Sequence, residues 1–386
     1  MSLSRRTFLA AGSLAGLAAS AGTATAASVI FDLRGSEPAA GPVAPVAADD
    51  SSRRLQAAID KAAASGKPLR LPPGRYVVSN IRLARGARLV GVPGATILAY
   101  GGGGHFLLAE NADGVALTGL VLDGANAALD DYAEALVHIV ASRNVVIEDC
   151  EIIGSRAGAI LLDRVGGRVS RNTIAGAFET AIQANESAGL EIADNTITDS
   201  AGNGIRVWRW TAGPDGTLVS GNRIERVASG NTGGGDRGNG IDVFRAGGVI
   251  LSGNRIADPA AAGLRVRAAA NVQITGNAVA RAGGTGIALS ADTDGAVLSA
   301  NVVDGAANGI ALGTGGRGAE MTACTGNLVR NVRSTATEAD EGIGIAAISG
   351  ATITGNVVEN AERIGIRLGF GAGLRDVIGD FSTSQK

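Results

Sequence analysis

Aromatic side chains make up only 3% of this 386-residue chain, and charged ones only 18%. It has two cysteines, two histidines and three lysines. Each shortage excludes something. Two cysteines without a C-x-x-C pair exclude a disulfide scaffold and a zinc finger. A formal net charge of −2 excludes the basic footprint of a nucleic-acid binder. The only long apolar run is N-terminal, which excludes a bundle of membrane spans. Low charge accompanied by plentiful Ile and Val excludes disorder. The excess is in glycine, 59 residues without the three-residue period of collagen. Abundant Gly with scarce aromatics points to one repetitive β architecture whose turns need permissive backbone angles.

The chain opens with Ser4-Arg5-Arg6-Thr7-Phe8-Leu9, runs apolar to Ala21 and reaches Ala24-Thr25-Ala26. A charged head, an apolar middle and an A-x-A end describe a signal peptide over 1–26. Arg5 and Arg6, followed by Phe8-Leu9, read as a twin-arginine (Tat) signal. The expectation is export by the Tat translocase to the periplasm or beyond, with no membrane association after cleavage. Losing those two arginines takes the net charge from −2 to −4.

Residues 27–48 read as a flexible linker, Pro-, Ala- and Gly-rich in its later part. Residues 49–68 read as a helix with Leu55, Ala58, Ile59, Ala62 and Ala63 on one face. Asp50 or Ser51 would cap it, and Gly66 and Pro68 would end it. Such a helix can cover the open end of a β stack. Residues 69–386 are assigned to that stack, with clear repeats over 136–370.

The repeat is G-I-x-V, a gap, x-V-x-I-x-G-N-x-I, a second gap, then G-I-x-V again. Its register is kept by Asn172, Asn195, Asn222, Asn254, Asn277, Asn301, Asn327 and Asn356, with Cys150 one unit earlier. Successive spacings are 22, 23, 27, 32, 23, 24, 26 and 29 residues. Three short alternating runs per unit are three strands with one face inward, which is one coil of a parallel β-helix. The asparagines sit at a corner after the second strand and predict a hydrogen-bonded ladder. Cys150 and Cys324 lie seven coils apart, over ~30 Å at the strand spacing, so two free thiols are expected.

The helix with Leu71-Pro72-Pro73-Gly74-Arg75-Tyr76, followed by Asn-ladder coils, resembles the pectate-lyase-like right-handed β-helix superfamily. The Ser-Arg-Arg-x-Phe-Leu signal joined to coils of about 23 residues resembles, more narrowly, the TAT-translocated repeat protein family. The resemblance implies an all-β, right-handed parallel β-helix. It also implies polysaccharide binding on the strand that follows the glycine and on its flanking loops. One departure is that Leu374-Arg375-Asp376-Val377 reads as the start of a further coil with no cap before Lys386. The expectation is a truncated copy, or an edge covered by another chain.

In a β-helix the outward residues carry function. On G-I-x-V the first outward column reads His138, Leu161, Gln183, Arg206, Asp242, Arg265, Ala288 and Ala311. The second reads Asp163, Asn185, Trp208, Phe244, Arg267 and Ser290. Both tryptophans, Trp208 and Trp210, fall here, beside insertions 208–216 and 228–239 that would form two walls. Indoles stack on sugar faces, and arginine forks match carboxylates, so an acidic polysaccharide is the expected ligand. The candidate ligand contacts are Trp208, Trp210, Phe244, Arg267, Gln183, Asp163 and His138. The candidate catalytic groups are Asp242, Asp236, Arg206 and Arg265. The Asn-Thr-Asp, Asp-Asp, Gly-His-Gly and Arg-Ile-Lys set of polygalacturonases is absent, as is the Asp-Pro-His-Asp of alginate epimerases. The alternatives are a carbohydrate-active enzyme, a non-catalytic envelope module, and a protein loaded with a cofactor or metal before export. Asp236, Asp242 and nearby carbonyls could hold Ca²⁺, though no ligand spacing singles them out.

Overall fold

The computed structural model describes residues 48–230, 236–290, 292–313, 319–334, 342–348, 350–369 and 381–383. The signal, most of the linker and the Leu374–Val377 segment lie outside them. The described chain winds into a solenoid with three sheets, all of whose strand pairs are parallel. The sheet carrying x-V-x-I, here the second, stacks twelve strands from Leu69–Arg70 to Ala351–Thr354. The third sheet follows the Asn corner, from Gly74–Val78 to Phe381–Thr383. The first sheet carries G-I-x-V, from Ile81–Arg82 to Ile364–Leu368. The strands Ala278–Leu289 and Val302–Leu312 run unbroken through the corner between the third and first sheets.

Alternation makes this core. Ile160, Ile182, Ile205, Ile241, Leu264 and Ile287 of the first sheet are all fully buried and stacked in register. Each contributes roughly 1.5–3 kcal/mol of burial. The ladder is built as expected. The Oδ1 of Asn222 accepts from the backbone N–H of Asn195 at 3.0 Å and from its side-chain amide at 2.9 Å. The Nδ2 of Asn222 donates to Ile192 O at 2.8 Å and to Asn254 Oδ1 at 2.9 Å. Cys150 joins from its backbone, donating to Asn172 Oδ1 at 3.0 Å. Both cysteines are free and buried, and burial pushes the Cys150 thiol up to about 12. One coil earlier Leu120 takes the ladder place, since Glu151 donates to its carbonyl as Thr173 does to that of Cys150. That substitution is why the regular phrase starts so late in the sequence.

The capping helix spans Ala48–Ala64, so it starts earlier than the capping residues proposed for it. Its end is a Schellman turn, with Gly66 at φ +64°, Gly66 N–H donating to Ala63 O and Lys67 N–H to Ala62 O. Leu55, Ala58 and Ile59 are buried against the first coil. Gln56 does what a preceding strand would do: its amide donates to Arg82 O and accepts from Arg82 N–H, both at 2.8 Å. The open edge is therefore satisfied by a side chain.

The glycines fall into two kinds. Gly253, Gly276 and Gly326, each before a ladder Asn, sit at positive φ (+63° at Gly253) with open space around them. This is the turn chemistry expected. The glycine of G-I-x-V does not fit that expectation. Gly240 has no positive φ, but a Cβ there would lie 2.5 Å from Ile256 Cγ2 and 2.7 Å from Gly263 O. Gly204, Gly263, Gly286, Gly309 and Gly344 meet the next coil in the same way. These residues are glycine because successive coils approach too closely for a side chain.

Candidate functional site

The register brings the first outward column together as anticipated: His138, Leu161, Gln183, Arg206, Asp242, Arg265, Ala288 and Ala311 lie on successive strands. Beside it run Asp163, Asn185, Trp208, Phe244 and Arg267. The middle of this face is a shelf of aromatic rings and guanidinium groups. Trp208 and Phe244 stack with centroids 6.2 Å apart and 18° between planes. Trp210 meets Trp208 edge-on at 4.1 Å. Arg206 lies over Trp208 at 5.5 Å, while Arg267 and Arg245 lie over Phe244 at 4.8 and 4.7 Å.

Asp242 corrects one expectation. Its position is outward, yet its side chain is 0% exposed. Arg267 donates to both of its carboxyl oxygens, at 3.0 and 3.3 Å, and Arg206 Nε stands 3.6 Å away. Burial raises its pKa, opposed by Arg267, Arg206 and Arg265. A carboxyl so enclosed does not face the groove in this structure. Asp236 does come close to it, since Arg267 also binds Asp236 Oδ1 at 2.6 Å and Arg265 reaches the same oxygen at 3.4 Å. The two carboxylates are thus cross-linked by one arginine. Burial, then the neighbouring Arg267, lowers the pKa of Arg265.

Insertion 208–216 is not a loop wall. It stays in the sheet as the strand Ile205–Pro214. The chain spends five steps from Trp208 to Gly213 against two from Phe244 to Ala246 in the partner strand. The extra residues bulge outward, which is how Trp210 comes to be 68% exposed. The bulge is pinned by Arg209, which pairs with Glu186 at 3.0 Å and donates to Ser187 O at 3.1 Å. Arg245 donates to Trp210 O, and Trp210 N–H donates to Glu186. Of the second insertion, residues 231–235 lie outside the described part. Residues 236–239 border the opposite edge of the face through Asp236 and through Arg237, which pairs with Glu179 at 2.6 Å.

The remaining candidates are more peripheral. Gln183 donates to Asn185 Oδ1 at 3.1 Å, and Asp163 pairs with Arg164 at 3.0 Å. His138 is half-buried, three strands from Arg206, and burial lowers its pKa. Leu161 occupies an outward position but is only 4% exposed. Sequence reasoning missed Glu186, the buried Asp215 that stands 3.7 Å from Arg209, and a second, shorter Asn pair. Asn239 donates to Asn203 Oδ1 from both its N–H and its amide, at 3.0 Å. The repeated phrase Gly202-Asn203-Gly204-Ile205 and Gly238-Asn239-Gly240-Ile241 was the readable signal. A cleft of about 360 Å³ at the N-terminal end of the shelf is lined by Arg156, Phe178, Glu179 and Gln183. A larger cleft, about 820 Å³, lies behind the bulge on a floor of Gly and Ala.

The comparisons agree with this architecture. Residues 109–234 match a family model described as periplasmic copper-binding protein (NosD), and residues 214–338 match one described as right handed beta helix region. The chain is similar in structure to the A-module of mannuronan C-5 epimerase AlgE6 from Azotobacter vinelandii. That pair has 16% identity and a TM-score of 0.59 over 87% of this chain and 96% of that one. It is also similar to the catalytic unit of a GH87 alpha-1,3-glucanase from Streptomyces thermodiastaticus (14%, 0.60, 89% and 72%). A third similarity is to PfbA, a surface adhesin of Streptococcus pneumoniae (14%, 0.53, 86% and 89%). No curated protein matches the sequence. Among the described residues no helix is long and apolar enough to cross a membrane. The chain folds as a right-handed parallel β-helix, the fold it shares with these structures.

Proposed function

We propose that this is an exported protein that binds a polysaccharide along the middle coils of its first sheet. The observation that carries the reading is the aromatic shelf. Trp208, Trp210 and Phe244 form one apolar surface among the outward polar residues Gln183, Asn185, Arg206, Arg265 and Arg267, and Trp210 is held out to solvent by an ion-paired bulge. Exposing a tryptophan to water without a partner is unfavourable, and sugar rings offer flat apolar faces to such a surface. The similar folds include two enzymes named for polysaccharides and one adhesin, which supports a carbohydrate partner. Binding is favoured over turnover because Asp242 is enclosed by arginines. Trp210→Ala is expected to weaken retention on the bound polymer about tenfold without changing the melting temperature. Equal retention of both proteins would remove the shelf from the binding site.

The copper named in one family description does not fit the described residues. No three His, Cys, Asp or Glu side chains converge there as a cage, and the two buried thiols are seven coils apart. Export is proposed to use the twin-arginine route. Changing Arg5 and Arg6 together to Lys should keep the protein in the cytoplasm, as read by fractionation. Undiminished export would assign the signal to the general secretory route.

A further inference from the structure

Building on that proposed binding face, we infer that the polysaccharide is uncharged and not a uronide. The arginines on this face first suggest a polyanion. Their partners argue otherwise. Arg206 and Arg267 close on Asp242, Arg265 and Arg267 on Asp236, Arg209 on Glu186, and Arg237 on Glu179. Arg245 spends its guanidinium on Trp210 O and the Phe244 ring.

Exposure decides what a ligand meets. The side chains of Arg206, Arg265 and Arg267 are 23%, 25% and 17% exposed, and that of Asp236, the outer partner of Arg265 and Arg267, is 57%. Arg237 is 31% exposed against 41% for Glu179. Asp242 is enclosed, but Asp236 and Glu179 stand outside the arginines they pair with and form the rim. An incoming uronate would face Asp236 and Glu179 first. It could reach Arg237, Arg265 or Arg267 only by displacing a carboxylate already in place, exchanging one ion pair for another with little gain. A neutral sugar needs no such exchange. Its ring faces lie on Trp208, Trp210 and Phe244, and its hydroxyls donate to the rim carboxylates, which are strong acceptors. From the Gln183 strand to the Arg267 strand the face crosses three coil steps, about 14 Å, the length of roughly three sugar units.

Affinity electrophoresis of the mature protein tests this with two sets of polymers. Dextran, laminarin and galactomannan are neutral, and alginate and polygalacturonate are uronides. Retention by at least one neutral polymer, unchanged between about 20 and 200 mM NaCl and reduced by Trp210→Ala, is the expected result. Preferential retention by a uronide, fading with salt, would overturn the inference and leave the binding face standing. No retention by either set would overturn the binding reading itself, and the inference with it. The double variant Glu179→Gln/Asp236→Asn adds an independent check. Neutralising the rim beside Arg237, Arg265 and Arg267 should create salt-sensitive uronide retention and weaken neutral retention, because the sugar hydroxyls lose their carboxylate acceptors. Failure to gain uronide retention would show that the rim carboxylates do not set the preference.

Discussion

Gly240→Ala should lower the stability of the β-helix by about 3 kcal/mol or more, while Gly253→Ala should cost only about 1 kcal/mol. The two changes are chemically identical and act through different physics. At Gly240 the new methyl would sit 2.5 Å from Ile256 Cγ2 and 2.7 Å from the carbonyl of Gly263. One neighbour is backbone hydrogen-bonded into the next coil, so relief requires the coils themselves to separate. Parallel strands are held by evenly spaced bonds along the whole stack, and a local separation breaks several of them. At Gly253 the methyl would meet nothing within 4 Å, and only the left-handed conformation, φ +63°, is unfavourable. The stack already tolerates that cost, since Ala300 occupies the equivalent corner at φ 54°. Urea midpoints of the two variants against the parent measure the difference. Similar midpoints would mean that coil spacing does not dictate glycine in G-I-x-V.

The second large effect is expected at Asp242. Removing its carboxylate by Asp242→Ala leaves Arg206 and Arg267 facing a buried space that no longer holds a charge. Breaking a buried pair in this way costs about 3–5 kcal/mol. The loss should extend to binding, because Arg206 and Arg267 are the groups on which Trp208 and Phe244 rest. Asp242→Asn keeps the shape and one acceptor oxygen, so it should fall between the parent and the alanine variant in both stability and polymer retention. This gradation separates an anchoring role from a catalytic one. Were Asp242 an acid or base, Asp242→Asn would retain polymer fully and lose only turnover.

The ladder, the three-strand coil and the outward columns were legible because they repeat. Asn172 through Asn356 mark one corner, and once that corner is set, the period of two along each strand assigns every face. The first coils were less legible because Leu120 and Cys150 stand where later coils have Asn. The candidate site was legible in position and not in chemistry. Register alone gives Asp242 an outward direction. Its burial depends on where long arginine side chains from neighbouring strands come to lie, and no periodicity encodes that. Insertion 208–216 was misread for a related reason. Gly213-Pro214 looks like turn chemistry, yet Gly213 and Pro214 pair with Ala246 and Gly247. A parallel strand on the next coil was enough to hold an insertion in the sheet as a bulge. The placement of Asp236 and Glu179 outside their arginines, on which the inferred neutral ligand rests, follows from that same side-chain packing.

The chain has two tryptophans in all, and both lie on the proposed face. Titrating the mature protein with a retained polysaccharide while following tryptophan emission therefore reports binding at that face and nowhere else. The account predicts a saturable change in emission, with a midpoint matching the retention assay, and a much smaller change in Trp210→Ala. Retention of the polymer with unaltered emission would seat the ligand elsewhere on the solenoid and contradict the account.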